Sequence, residues 1–129
     1  MYHLFVYRYR SLEAWKQAHA SVIGIMRATD APTHPRARSL FEQLRRAIVS
    51  VEANIVEGYA LGTSPLYRRH LRIAFGSAAE AECLLRVAGE LEYLGSEAVG
   101  RLEVPLGTAM KLLTGLLRNP RVVPPARTR

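Results

Sequence analysis

The chain has 129 residues, is 49% hydrophobic and carries a formal net charge of +7, supplied almost wholly by arginine, sixteen against the two lysines Lys16 and Lys111. That length suits one domain with a real core, and the apolar content excludes wholesale disorder. The single Cys83 excludes an intrachain disulfide and a cysteine-built zinc site. No apolar run approaches the ~20 residues of a membrane span, and Met1 to Arg10 has too short an apolar centre for a signal peptide. A cytoplasmic location, with no membrane association, is the expectation.

Met1 to Arg10, MYHLFVYRYR, mixes aromatic and basic residues without helical period. Such an arm can stack bases and hold phosphates, or simply lie over the fold. Ser11 is the predicted N-cap of a first helix that runs to about Thr29, with Glu13 in its first turn. Its apolar stripe takes in Trp15, expected as a core anchor, and passes His19, expected as a satisfied core histidine. Asp30 to Pro35 forms a connection with two prolines.

The second helix is predicted from about Arg36 to Leu61 and organises the chain. Leu40, Leu44, Ala47, Ile48, Val51, Ile55 and Gly58 share one face at helical spacing. The opposite face carries Val49, Ala53, Val56 and Ala60. A helix apolar on two faces needs cover on both, so it is either central to the fold or a subunit contact. Gly62 supplies a stop, Ser64 an N-cap and Pro65 a first helical position.

The third helix is predicted from Pro65 to Leu94. Its buried arc is read as Leu66, His70, Ile73, Ala74, Ser77, Ala81, Leu84, Leu85, Ala88 and Leu91, with Arg68, Arg72, Arg86 and Glu90 outside. The small patch Gly76-Ser77-Ala78-Ala79 would let a neighbouring backbone come close. Gly95-Ser96 ends this helix and caps a fourth, in which Pro105 and Gly107 predict a kink or a break. Residues 119–129 read as a basic tail. Four helical segments with short connections give an all-α, up-down four-helix bundle as a single domain.

The histidines His3, His19, His34 and His70 show no metal-ligand spacing with one another or with Cys83. There is no glycine-rich phosphate loop, GxSxG or HExxH. The expectation is a protein that is not an enzyme and needs no cofactor or metal.

LEAWKQA (Leu12 to Ala18), SLFEQLRRAIVSVEANIVEGY (Ser39 to Tyr59) and LRIAFGSAAEAE (Leu71 to Glu82), in this order, resemble a family of bacterial four-helix bundle proteins. These were first noticed as open reading frames in intervening sequences of large-subunit ribosomal RNA genes. The resemblance covers roughly residues 9 to 117. Where the family pattern usually has proline, this chain has Glu52. The resemblance implies a bundle that assembles into a ring, commonly a pentamer. It extends distantly to the accessory variability-determinant protein of diversity-generating retroelements, a basic pentamer that partners a reverse transcriptase and nucleic acid. No catalytic residues carry over, because the family motif defines none.

Three sets of candidate residues follow. Val49, Ala53, Val56 and Ala60 are the candidate oligomer interface. Arg68, Arg72 and Arg86, widened by Arg45, form a candidate phosphate-binding stripe for RNA or DNA. Arg46, Asn54, Glu57, Arg69 and Glu80 are assigned to a structural ladder, because a hairpin turning near Gly62-Thr63 sets Arg46 opposite Glu80, Ser50 opposite Gly76, Asn54 opposite Arg72 and Glu57 opposite Arg69. Two functions fit. One is a basic oligomeric scaffold for nucleic acid, beside a reverse transcriptase or ribosomal RNA. The other is an oligomeric protein-interaction module whose charge reflects only a GC-rich genome.

Overall fold

A computed structural model describes residues 8–31, 34–61 and 63–118. Four helices follow a short 3-10 turn at Arg8–Ser11: α1 (Glu13–Ala28), α2 (Ala37–Leu61), α3 (Ser64–Glu90) and α4 (Ser96–Arg118). Helices adjacent in sequence pack together, and α4 closes the square against α1, with the most extensive contact between α2 and α3. This is an up-down four-helix bundle. The expected stop at Gly62 and the expected tail lie outside the described residues, as do residues 1–7 of the arm.

The core is continuous. Ile25, Leu44, Ile48, Val51, Ile55, Leu71, Leu85, Leu106 and Leu113 are fully buried, each contributing about 1.5–3 kcal/mol of apolar transfer. The α2 stripe is buried as expected, with Leu40 half-buried at its start. The face of α3 differs from expectation. Leu66, Ile73 and Leu91 are exposed, His70, Ser77 and Leu84 half-buried, and the core side is Tyr67, Leu71, Ala74, Ala78, Ala81, Leu85 and Ala88. Alanines let the helices close up, so the helix turns its small residues inward with Tyr67. Burial pushes the Tyr67 phenol up to about 12, with Tyr59 adding to the effect.

Close approach occurs at Gly58, not at Gly76. A methyl at Gly58 would stand 2.8 Å from His70 Cβ, whereas one at Gly76 would meet nothing within 4 Å. The helix ends also differ in detail. The Ser11 hydroxyl donates to the Arg8 carbonyl at 2.8 Å within the 3-10 turn, and Leu12 takes the cap position of α1. Thr63 precedes α3, so Ser64 and Pro65 are already helical. The stop of α3 comes before Gly95. Tyr93 N–H bonds the Ala88 carbonyl and Glu92 N–H that of Gly89, with Glu92 left-handed at φ 61°. This is a Schellman ending with glutamate where glycine is usual. Helix α4 passes Pro105 without interruption. Pro105 has no N–H to give the carbonyl one turn back, that of Arg101.

Candidate functional site

Across the α2–α3 contact runs a seam of polar groups. Asn54 Nδ2 donates to the Ser50 carbonyl at 2.8 Å and to Ser50 Oγ at 3.1 Å, which fixes the amide orientation. Its Oδ1 therefore accepts, and His70 Nδ1, 2.9 Å away, carries the proton. Ser50 Oγ also bonds Ser77 Oγ at 2.8 Å, a contact in which either hydroxyl can donate. The linked bonds from His70 through Asn54 and Ser50 to Ser77 hold α2 and α3 at one register. Asn54 meets His70 and not Arg72, and Ser50 meets Ser77 and not Gly76.

The charged rungs expected beside this seam do not form. The ion pairs among the described residues are Lys16–Glu13 and Arg86–Glu82, and His19 Nδ1 lies 2.9 Å from Glu52 Oε2. Glu80 is exposed and accepts from Gln43 Nε2 at 3.2 Å. Arg46 borders the same shallow hollow of about 320 Å³, with Ser50 and Ser77 at its floor. Glu57 and Arg69 are both exposed. The reason is the rotation of α3: Glu80 leaves the apolar arc, so no buried carboxylate calls for a guanidinium.

The four candidate arginines have different surroundings. Arg45 is half-buried, and its Nη1 donates to the Met26 carbonyl at 3.1 Å and to Thr29 Oγ1 at 2.9 Å. It caps the C-terminus of α1 and leaves the outer stripe, a role that depends on where α1 ends in space. Arg68 is half-buried, with Nη1 lacking a hydrogen-bond partner among the described residues. Arg86 reaches Glu82 at 3.3 Å on its own helix. Arg72 is exposed, one turn from exposed Arg69.

Val49, Ala53 and Ala60 are exposed and Val56 is half-buried. Val49, Ala53 and Val56 line an open apolar hollow of about 370 Å³ with Val22 of α1, edged by Glu52 and Glu57.

The α1–α2 contact has its own polar centre. Glu52 Oε2 accepts the Trp15 indole N–H at 2.9 Å and lies 2.9 Å from His19 Nδ1. The His19 ring stacks on Trp15 at 4.9 Å, and Tyr9 meets Trp15 edge-on at 5.3 Å. Trp15 is thus half-buried, packed against the core and bonded to Glu52, whereas His19 is exposed and not a core histidine. No single-helix pattern flags this cluster, because its members are 33 and 37 residues apart.

Among the described residues, no group of three or more histidine, cysteine or acidic side chains could hold a metal, and no helix is long and apolar enough to cross a membrane. Four antiparallel helices, a polar seam between α2 and α3 and an arginine-rich surface define a small basic helical-bundle protein. The sequence pattern of the 23S rRNA-intervening sequence protein family matches residues 10–115, and the chain belongs to that family. Comparison with curated proteins finds no match.

Proposed function

We propose that this protein is a non-enzymatic, self-associating scaffold that holds nucleic acid, RNA or DNA, through exposed arginines, as an accessory to ribosomal RNA or to a reverse transcriptase. The observation that carries this reading is the uncompensated surface charge. Arg69 and Arg72 stand exposed one turn apart, and neither belongs to an ion pair among the described residues. Guanidinium groups so placed suit phosphate oxygens. The family's name, which ties it to ribosomal RNA genes, supports the same direction.

Self-association rests on the outer face of α2. Val49 is 42% exposed, and the neighbouring Ala53 and Ala60 are exposed with it. A ring, with five subunits as the favoured count, would cover this strip by heterologous contact with a different patch on the next subunit. The same strip favours the second reading, an oligomeric protein-interaction module without nucleic acid. Light scattering at micromolar concentration, with mixed RNA added at low salt, tests both. An oligomer that retains RNA supports the scaffold. An oligomer that ignores RNA leaves the interaction module, and a monomer of 14.4 kDa throughout removes the assembly.

A further inference from the structure

Charge is distributed unevenly along the bundle. The antiparallel arrangement is pinned at each contact: Trp15 meets Glu52, Asn54 meets His70, Gly89 abuts Val99 and Gly24 abuts Leu102. The first turns of α1 and α3 therefore share one end with the last turns of α2 and α4. With each helix divided at its midpoint and the described turns counted with the nearer end, the half containing this end holds, among the described residues, eight basic side chains against Glu13, Glu52 and Glu57. The other half, with its connections Asp30, Arg36 and Glu92, is nearly balanced, seven basic against eight acidic among the described residues. Two helix N-termini and two C-termini meet at each end, so the helix dipoles cancel and side chains set the field.

The basic groups also form a path. Arg69 and Arg72 stand on α3, Lys111 and Arg118 on α4, and Arg8 and Lys16 at the start of α1, all exposed. Helix α4 lies between α3 and α1, so the path crosses three neighbouring helices. Of the carboxylates in this half, Glu13 is taken by Lys16 and Glu52 by Trp15 and His19.

We propose that this end of the bundle, and not its sides, binds a flexible single strand of nucleic acid. The proposal rests on the nucleic-acid reading above and adds the location and the strandedness. With interaxial distances of roughly 8–10 Å, the end of a four-helix bundle is about 20 Å across. A single strand bends across so small a cap and lays phosphates on all three helices. A duplex, stiff over about 150 base pairs, touches it tangentially at few phosphates. Arginine outnumbers lysine six to two in this half, and a guanidinium pairs with phosphate and stacks on bases. Tyr9, half-buried against the core with the Arg10 guanidinium 5.8 Å from its ring centre, stands at the edge of the path.

The test compares two charge-matched variants of the full chain by anisotropy of a labelled oligouridylate. One carries Arg69→Gln, Arg72→Gln, Lys111→Gln and Arg118→Gln; the other carries Arg36→Gln, Arg38→Gln, Arg46→Gln and Arg101→Gln, all exposed at the opposite end. The first should lose about tenfold or more in affinity and the second less than about threefold, because only the first removes phosphate contacts. Arg72→Gln/Lys111→Gln, a milder change, should lose about threefold or more and covers the case in which the fourfold variant fails to fold. Equal losses at the two ends would overturn the location while leaving the nucleic-acid reading intact. Absence of binding by the unmodified chain would remove that reading as well. A duplex of equal length binding as tightly as the strand, or polyglutamate competing equally well, would overturn the single-strand assignment.

Discussion

Trp15 on α1 donates its indole N–H to Glu52 on α2 at 2.9 Å. The bond is an interhelical tie, and α2 runs unbroken from Ala37 to Leu61. The α1–α2 contact is the least extensive of the four around the bundle, so one charge-assisted bond counts for more there. Glu52→Ala should cost about 1–3 kcal/mol, the range for a hydrogen bond to a charged group. Urea unfolding followed by the emission of Trp15, the only tryptophan, reads both the loss and the changed indole environment. An unchanged midpoint would show the tie to be dispensable.

Gly58 and Gly76 should respond oppositely to alanine. In both, alanine contributes up to ~1 kcal/mol in helix propensity. At Gly58 the new methyl falls 2.8 Å from His70 Cβ and 3.2 Å from the Tyr67 ring, so α2 and α3 must part. Overpacking of this kind costs roughly 1–3 kcal/mol and outweighs the propensity gain. Gly76 is open and exposed, so Gly76→Ala should raise the midpoint. A stabilised Gly58→Ala would mean that the seam slides freely.

Glu92→Gly should stabilise the chain by about 1 kcal/mol, because glutamate there holds φ at 61°, a left-handed conformation that costs an L-residue ~1–2 kcal/mol. Glycine relieves that strain but adds chain entropy to the unfolded state, which limits the gain. A higher thermal midpoint is the expected readout, and a lower one would contradict the assigned helix ending.

Tyr67 supplies a pH dependence at the alkaline edge. Its phenol ionises at about 12 when folded, against the ordinary tyrosine value of 10.0. Between these values the folded chain holds a proton that the unfolded chain has lost. The stabilisation is therefore complete below pH 10 and falls as pH rises toward about 12, by roughly 2–3 kcal/mol in all. Phenolate absorbance should show one tyrosine titrating late, and Tyr67→Phe should flatten the fall. If Tyr67→Phe keeps the same fall, its cause lies elsewhere.

The helices are legible in the sequence because their punctuation is local: Pro35 before α2, Pro65 at the start of α3, and stripes at helical spacing. The α2 core face reads correctly because its large residues, Leu44, Ile48, Val51 and Ile55, leave one solution. On α3 large apolar residues surround the helix, and Ala74, Ala78, Ala81 and Ala88 give little hydrophobic contrast while allowing the closest packing. A pattern reading follows Leu66, Ile73 and Leu91 and so rotates the helix. That rotation produces the expectation of an Arg46–Glu80 pair. The Trp15–Glu52–His19 cluster and the seat of Arg45 at the end of α1 depend on residues distant in sequence, and only the assembled bundle brings them together.

Whether exposed arginines hold nucleic-acid phosphates is decided by the salt dependence of single-strand RNA affinity. Each phosphate contact releases counterions, at a slope of about −0.7 per contact on logarithmic axes for single strands. Four to six contacts on the basic end predict a slope of roughly −3 to −4, with little dependence on base sequence. Affinity that stays flat from low to moderate salt, or is absent at low salt, would contradict phosphate binding by these groups.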